Sequence, residues 1–597
     1  MKGEACSDEY AAHHCSMKNP FPRKKRLTSF LLIPLLMLIL LAVLVIPGFY
    51  SENKRFEKFT ENLFRTEVCS STINLHYTLA EPDSCNISDY PITFGSVFSG
   101  DNTRYQAALE NHAALLSSFH KKRLSKKNQL TLSILEENCN AELECPDAWY
   151  LQEPLSPSLG VQAQLPVLLA EYTFRTKQDV LDYLKLLKTL PDYFQNILQL
   201  EQEKASRGLF MNDKAVDGVI AQCNSFIENP EENYLIPVFN EKLEEMSILS
   251  KKERDSCKTL HNKLIVNVVI PAYQQLIDGL DALRGSGKND KGLVYYPNGK
   301  SYYIYLLKTQ VGTDDSVAVL EHRLLTQLVS DSKEMQQLIR DDPSLLIAKE
   351  DVSAQETAEP TEILEDLKTC MAKDFPILPE TSYEIKYVHE DLQEFLSPAF
   401  YLTPPVDTNS PNAIYINPHT GMGGTELYTT LAHEGFPGHL YQTNYFSETN
   451  PPLIRHLYSP GGYIEGWATY IESYAYNYAD GDPQRNRLLW LNRSMNLCLY
   501  SIMDVGIHYH GWTMEKTAEF LNNFGIADDD TVSRVYQYIL ETPANYLKYY
   551  YGYLNFLDIR EASRKAEGDN FNLKKFHQKI LELGPMPFSI LKEKMLS

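Results

Sequence analysis

The run Leu427-Tyr-Thr-Thr-Leu-Ala-His433-Glu434-Gly-Phe-Pro437-Gly438-His439 places two histidines six residues apart at the end of an apolar, helix-like stretch. Neutral imidazoles are metal ligands, and a carboxylate beside a bound metal can take a proton from the attacking water. The H-E-x-x-H metal motif sets its histidines four apart, on one helical face. Six residues turn through about 600°, so in an unbroken helix His439 faces away from His433. Both can reach one metal only if the helix breaks between them. Pro437 and Gly438 stand where that break must fall: proline removes a helical hydrogen bond, and glycine accepts unusual backbone angles. The bland alternative is a helix ending at Pro-Gly with two incidental histidines.

Residues downstream weigh against the bland alternative. Gly461-Gly-Tyr463-Ile-Glu465-Gly466-Trp467-Ala-Thr-Tyr470-Ile-Glu472 reads as a helix after a turn. A catalytic zinc typically has three protein ligands plus water, and a Glu on a second helix is a common third. Glu465, 26 residues after His439, has room for a loop and a returning helix. Glu472 shares its face and is the alternative ligand, or a partner that orients a histidine. Taken alone, both would be solvated helix carboxylates. In Glu541-Thr-Pro543-Ala-Asn545-Tyr546-Leu-Lys548-Tyr549-Tyr550-Tyr551-Gly552, a phenol near the metal could stabilise a developing oxyanion, and Lys548 could hold a substrate carboxylate. The chain has 38 tyrosines, so a structural aromatic cluster is the plainer reading for most of these. His508 and His510 are further candidate oxyanion donors, each more commonly a satisfied core or surface residue.

Four motifs together resemble the bacterial family called domain of unknown function 885: H-E-x-x-P-G-H at His433 to His439, E-G-W-A at Glu465 to Ala468, G-x-H-x-x-G-W at Gly506 to Trp512, and P-x-x-x-L-x-Y at Pro543 to Tyr549. The resemblance runs from about Phe56 to the C-terminus. That family looks like a distant relative of the mainly helical gluzincin peptidases, which hold zinc with two His and one Glu. The motif order is similar to that of dipeptidyl carboxypeptidases of the angiotensin-converting type, which implies Tyr549 as the oxyanion donor. The family often has Ser before that Tyr and Lys after it, whereas here Lys548 precedes and Tyr550 follows. The resemblance also implies an edge strand before the metal helix, able to pair with an extended peptide.

The first fifty residues read differently. Arg23-Lys-Lys-Arg26 precedes the apolar run Phe30 to Ile46. Roughly twenty apolar residues span a bilayer, and the basic cluster predicts a cytoplasmic N-terminus with the body outside. The run is long for a signal-peptide core, and no A-x-A-like cleavage site follows it. The expected organisation is a cytoplasmic tail over 1–29, a signal anchor over 30–50, and an extracytoplasmic body over 51–597. The body divides into a helical part, 51–290, and a catalytic part, 291–597. The formal charge of −22 argues against nucleic acid or an anionic membrane surface as partner. Export suits disulfides, and sequence proximity pairs Cys69–Cys85, Cys139–Cys145 and Cys223–Cys257, leaving Cys370 and Cys498 as a long-range pair or free thiols. Asn86-Ile-Ser and Asn492-Arg-Ser fit the N-glycosylation pattern.

Amphipathic spacing from Asp179 and from Val266 predicts helices. Leu293 to Tyr305 reads as a β-hairpin turning at Asn298-Gly299. Tyr383–Val388 and Asn412–Asn417 read as short strands, and Glu350–Pro360 as an acidic surface loop. Gly285-Ser-Gly287-Lys288 lacks the rest of a phosphate loop, and no G-x-S-x-G nucleophile elbow occurs. The expected fold is therefore mainly α, a gluzincin-like body with a small β-sheet beside the cleft, plus one N-terminal transmembrane helix. The expected function is zinc-dependent peptide hydrolysis with one Zn2+ per chain. His433, His439 and Glu465 bind the metal. Glu434 is the base, and Tyr549, with His508, stabilises the oxyanion. Glu472, Lys548 and His510 are supporting or alternative residues. Non-peptide amide or ester hydrolysis, and a non-catalytic surface binding protein, are the rivals.

Overall fold

The structure, a computed structural model, describes residues 50–100, 102–346, 358–390, 393 and 396–597. The signal anchor expected over 30–50 lies outside the described residues except for Tyr50, as does most of the acidic loop expected at 350–360. Among the described residues no helix is long and apolar enough to cross a membrane. The body is mainly helical, with one three-stranded sheet.

Within the part before residue 290, helices such as α1 (Leu190–Ser206), α2 (Asp213–Ile227) and α3 (Ile270–Asp281) pack around a first apolar core. The later part builds a second core from α4 (Val317–Asp341), α5 (Pro360–Met371), α6 (Gly424–Glu434), α7 (His439–Glu448), α8 (Gly461–Tyr478), α9 (Pro483–Val505) and α10 (Asn545–Glu567). The sheet lies between the two cores. Its strands are β1 (Glu384–Tyr387), β2 (Ala399–Leu402) and β3 (Ala413–Ile416), in the order β1-β3-β2. Side chains alternate across a strand, so Ala413 and Tyr415 join the first core while Ile414 and Ile416 join the second. That double burial is why Ala-Ile-Tyr-Ile is apolar throughout.

Both expected strands are present as β1 and β3, but the edge strand differs from expectation. β3, which precedes the His433 helix, is central: it pairs in parallel with β1 and antiparallel with β2. The strand at the cleft is β2, an Ala-Phe-Tyr-Leu run between prolines with no strand signal of its own in the sequence. The expected hairpin at 293–305 is helical instead. A short turn at Leu293–Tyr295 leads to a helix at Gly299–Leu306. The Asn-Gly turn is real, with Asn298 left-handed at φ 59, but it starts a helix. A Cβ on Gly299 would lie 1.7 Å from the Leu293 carbonyl oxygen. Burial of Tyr302, Tyr303 and Leu306 follows a helical period that the local aromatic run conceals.

The expected cysteine bridges also fail, since Cys69, Cys85, Cys139, Cys145, Cys223, Cys257, Cys370 and Cys498 are all free thiols. Cys145 joins the second core, whereas Cys139 joins a separate apolar cluster with Phe56, Phe64 and Leu132, despite their proximity in sequence. Cys498 points its thiol at the Leu324 carbonyl, 3.3 Å away, and Cys370 at Asp366, 3.8 Å away.

Candidate metal centre

The helix breaks where the spacing requires. α6 ends at Glu434, Gly435 takes φ −107 and ψ −101, the Phe436-Pro437 bond is cis, and α7 begins at His439. Gly438 is obligatory here, because a Cβ would stand 1.9 Å from the His433 carbonyl oxygen. Fully buried Trp467 on α8 clamps the break by donating its indole N–H to the Pro437 carbonyl at 3.0 Å. The two imidazoles consequently meet, with centroids 4.7 Å apart and planes at 87°.

α8 brings the carboxylates, and glycines set how closely it approaches α10. A Cβ on Gly466 would lie 2.5 Å from Gly552 Cα, and one on Gly552 would lie 2.2 Å from the Gly462 carbonyl oxygen. The two backbones are therefore in direct contact, which no larger residue would permit. This nesting puts Glu465 of α8 and Tyr549 of α10 in the same cleft.

Glu465 Oε2 lies 3.5 Å from Nε2 of both His433 and His439. Ligand atoms about 2.0–2.2 Å from a tetrahedral centre stand roughly 3.3–3.6 Å apart, so these three can surround one cation. Ligand atoms of His433, Glu434 and His439 also cluster within 4.8 Å. Of the two carboxylates Glu465 is the better third ligand, because Glu434 Oε1 is 4.0 Å from His433 Nε2. The other Glu434 oxygen accepts the Tyr401 backbone N–H of β2 at 2.9 Å. Glu472 takes the supporting position: its Oε1 is 2.8 Å from His433 Nδ1. It accepts the Nδ1 proton, which leaves Nε2 aimed at Glu465 and His439. Nδ1 of His439 is buried with no hydrogen-bond partner.

The electrostatics favour positive charge at this point. Burial disfavours a charged His433, yet hydrogen bonds to Glu465 and Glu472 and the nearby Glu434 raise it to about 10. Burial opposes charge on Glu472, but Arg493 and His433 overcome it and bring Glu472 to about 2. Glu465 is likewise held well below the usual carboxylate range, its burial outweighed by the two imidazoles. In Glu434 burial wins and the pKa rises.

The cleft has a volume of about 670 Å3 and runs between β2, α6, α8 and α9. Tyr549 lines it, its ring 6.3 Å from that of His433, and burial raises its phenol well above the ordinary value. The remaining expected residues are elsewhere. Lys548 does not line the cleft; its stem packs over Gly461, where a Cβ would meet it at 2.6 Å. Its pKa is lowered by burial, against the pull of Glu465 and Asp504. His508 does not join the metal centre either. Its Nδ1 accepts the Leu293 backbone N–H at 3.3 Å, and its Nε2 lies 2.9 Å from the Ile539 carbonyl. Both ring nitrogens are thus committed to backbone, which leaves no donor for an oxyanion. His510 pairs with Glu321 at 2.7 Å on the surface. Arg493 and β2 line the cleft but were not recognised from sequence. In the sequence Asn492-Arg493-Ser494 reads only as a glycosylation sequon, and Arg493 lies in none of the four motifs, so it carries no catalytic signal.

Fold and site together define a mainly helical protein with a His–His–carboxylate cluster at a cleft between helices and a strand edge. Over residues 98–595 the sequence matches the family described as "Bacterial protein of unknown function (DUF885)", and the chain belongs to that family. Two solved structures are similar in fold. A putative lipoprotein from Colwellia psychrerythraea has a TM-score of 0.79 at 20% identity, covering 92% of this chain and 98% of that one. A putative lipoprotein of unknown function from Shewanella oneidensis has a TM-score of 0.57 at 15% identity, covering 84% of this chain and 93% of that one. Among curated proteins there is no match.

Proposed function

We propose that this protein is a metal-dependent hydrolase of peptide bonds, with its body held outside the membrane by the N-terminal segment. The observation that carries the reading is the equal 3.5 Å separation of Glu465 Oε2 from Nε2 of His433 and His439. Two imidazoles and one carboxylate in that arrangement suit zinc best, one ion per chain. When bound, such an ion supplies Lewis acidity to water and to a substrate carbonyl.

The chain's own residues supply the rest. Glu434, buried and raised in pKa, accepts the proton of the attacking water and returns it to the leaving amine. Glu472 fixes the ring of His433 through Nδ1. Tyr549 donates its phenolic hydrogen to the oxygen that gains charge. β2 favours a peptide over a small ester or amide. Alternate residues of an edge strand direct their backbone groups outward, and the Tyr401 N–H already points to Glu434 rather than to β3. An extended peptide can add to that edge whatever its side chains. The basic cluster and apolar run at 23–46 support the anchored placement, as do the two solved neighbours described as putative lipoproteins.

The test is metal content by elemental mass spectrometry together with digestion of a peptide library, wild type beside Glu434→Gln. One zinc in each protein, with cleavage only by wild type, is the expected result. No metal in either would defeat the reading and favour a binding protein that retains the fold.

A further inference from the structure

The geometry points to Arg493 as the anchor for a free α-carboxylate, making peptides with an unblocked C-terminus the substrate class of this cleft. This rests on the hydrolase reading above. Among the described residues Arg493 is the one Lys or Arg that lines the cleft, whereas Glu426, Glu434, Glu465 and Glu472 all line it too. A substrate carboxylate entering elsewhere along the walls would meet like charge. At Arg493 it meets a fork that is already oriented.

Glu472 provides that orientation. Arg493 Nε donates to Glu472 Oε2 at 3.0 Å and Nη2 to Oε1 at 3.4 Å. Glu472 is in turn fixed by His433 at 2.8 Å, so the guanidinium is tied to the metal centre through one carboxylate. A guanidinium has five N–H donors. Glu472 engages two, and the remaining edge has no hydrogen bond to any described residue. The side chain is 43% exposed, against 7% for Glu472, so that edge opens into the cleft. Asn492 and Asn496, on the same side of α9, add amide donors beside it. A planar fork held in place loses little entropy on binding a carboxylate in bidentate fashion. Holding Glu472 in position requires only the inner edge of Arg493, which leaves the outer edge without a structural purpose. Lys548, the anchor expected from sequence, does not line the cleft.

Binding is measured apart from turnover. On Glu434→Gln protein loaded with zinc, a tetrapeptide library is titrated calorimetrically, prepared once as free acids and once as C-terminal amides. The acids are expected to bind about 10-fold or more tightly than the amides. Adding Arg493→Gln is expected to remove that preference and leave amide affinity within about 3-fold, while Arg493→Lys restores part of it. Equal affinity for acid and amide, or an equal loss of both in Arg493→Gln, overturns the anchor. Zinc content measured on each variant separates a lost anchor from a disturbed metal centre. Turnover by protein with Glu434 intact is then assayed on the same library. Preferential binding of acids without cleavage would sink the hydrolase reading and leave the carboxylate anchor standing.

Discussion

His433 and His508 are both buried, at 8% and 1% exposure, yet their rings are driven in opposite directions. His433, among three carboxylates, is raised to about 10. His508, with backbone partners and the Tyr303 ring 5.9 Å away, falls to about 4, with burial as the main cause. His261 and His577 fall to about 3 by the same desolvation. Burial alone therefore makes a neutral structural histidine. In the cleft the three carboxylates around His433 overcome burial and favour positive charge, which a bound cation can supply while the imidazole stays neutral.

The largest effect should come from removing a donor. His439→Ala is expected to reduce bound zinc from about one per chain to near zero. Hydrolysis is expected to fall by about 1,000-fold or more, read by elemental analysis and peptide turnover. Zinc retained in that variant would break the contrast, since the cluster would then not need its second imidazole. His508→Ala should do the reverse. It leaves the buried Leu293 N–H and Ile539 carbonyl unpaired, for a loss of about 2–4 kcal/mol in urea unfolding, with zinc content unchanged. Lost zinc at preserved stability would move His508 into the site.

The acid dependence of stability sharpens the same point. A folded-state pKa near 4 lies below the ordinary value of 6.5, so the unfolded chain binds the proton first. The contribution of His508 is fully present above pH 6.5 and is lost as pH falls toward 4, by at most about 3 kcal/mol. His508→Asn should flatten the stability profile in that window. An unchanged profile would mean that His508 is not buried neutral in solution. The smallest effect expected is that of Gly466→Ala, about 1–3 kcal/mol from forcing α8 off α10. Zinc affinity should weaken as Glu465 shifts. Weaker folding with unaltered zinc affinity would show that the helix crossing does not set the ligand.

Much of the centre was legible because its signals are local. Pro437 and Gly438 announce the break between the two histidines, and Trp467 two residues after Glu465 proves to be the clamp on that break. The misreadings have the opposite cause. Tyr302 and Tyr303 look strand-like until their burial is known. His508 looks like a donor until Leu293 and Ile539 take both its nitrogens. Ala399 to Leu402 is short and proline-bounded, and only pairing with β3 makes it a strand. Arg493 carries no local mark, because its importance comes from facing Glu472 across two helices.

The sequence by itself determined that a helix must end between His433 and His439, since proline and glycine act on the backbone wherever they stand. It left open which carboxylate completes the cluster, because Glu465 and Glu472 share one face of one helix. Only the tertiary structure decided that Glu465 meets both Nε2 atoms while Glu472 turns to Nδ1. The position of α8 against α10 sets that choice. It depends on backbone contact among Gly462, Gly466 and Gly552, a relation between distant elements that no local pattern encodes.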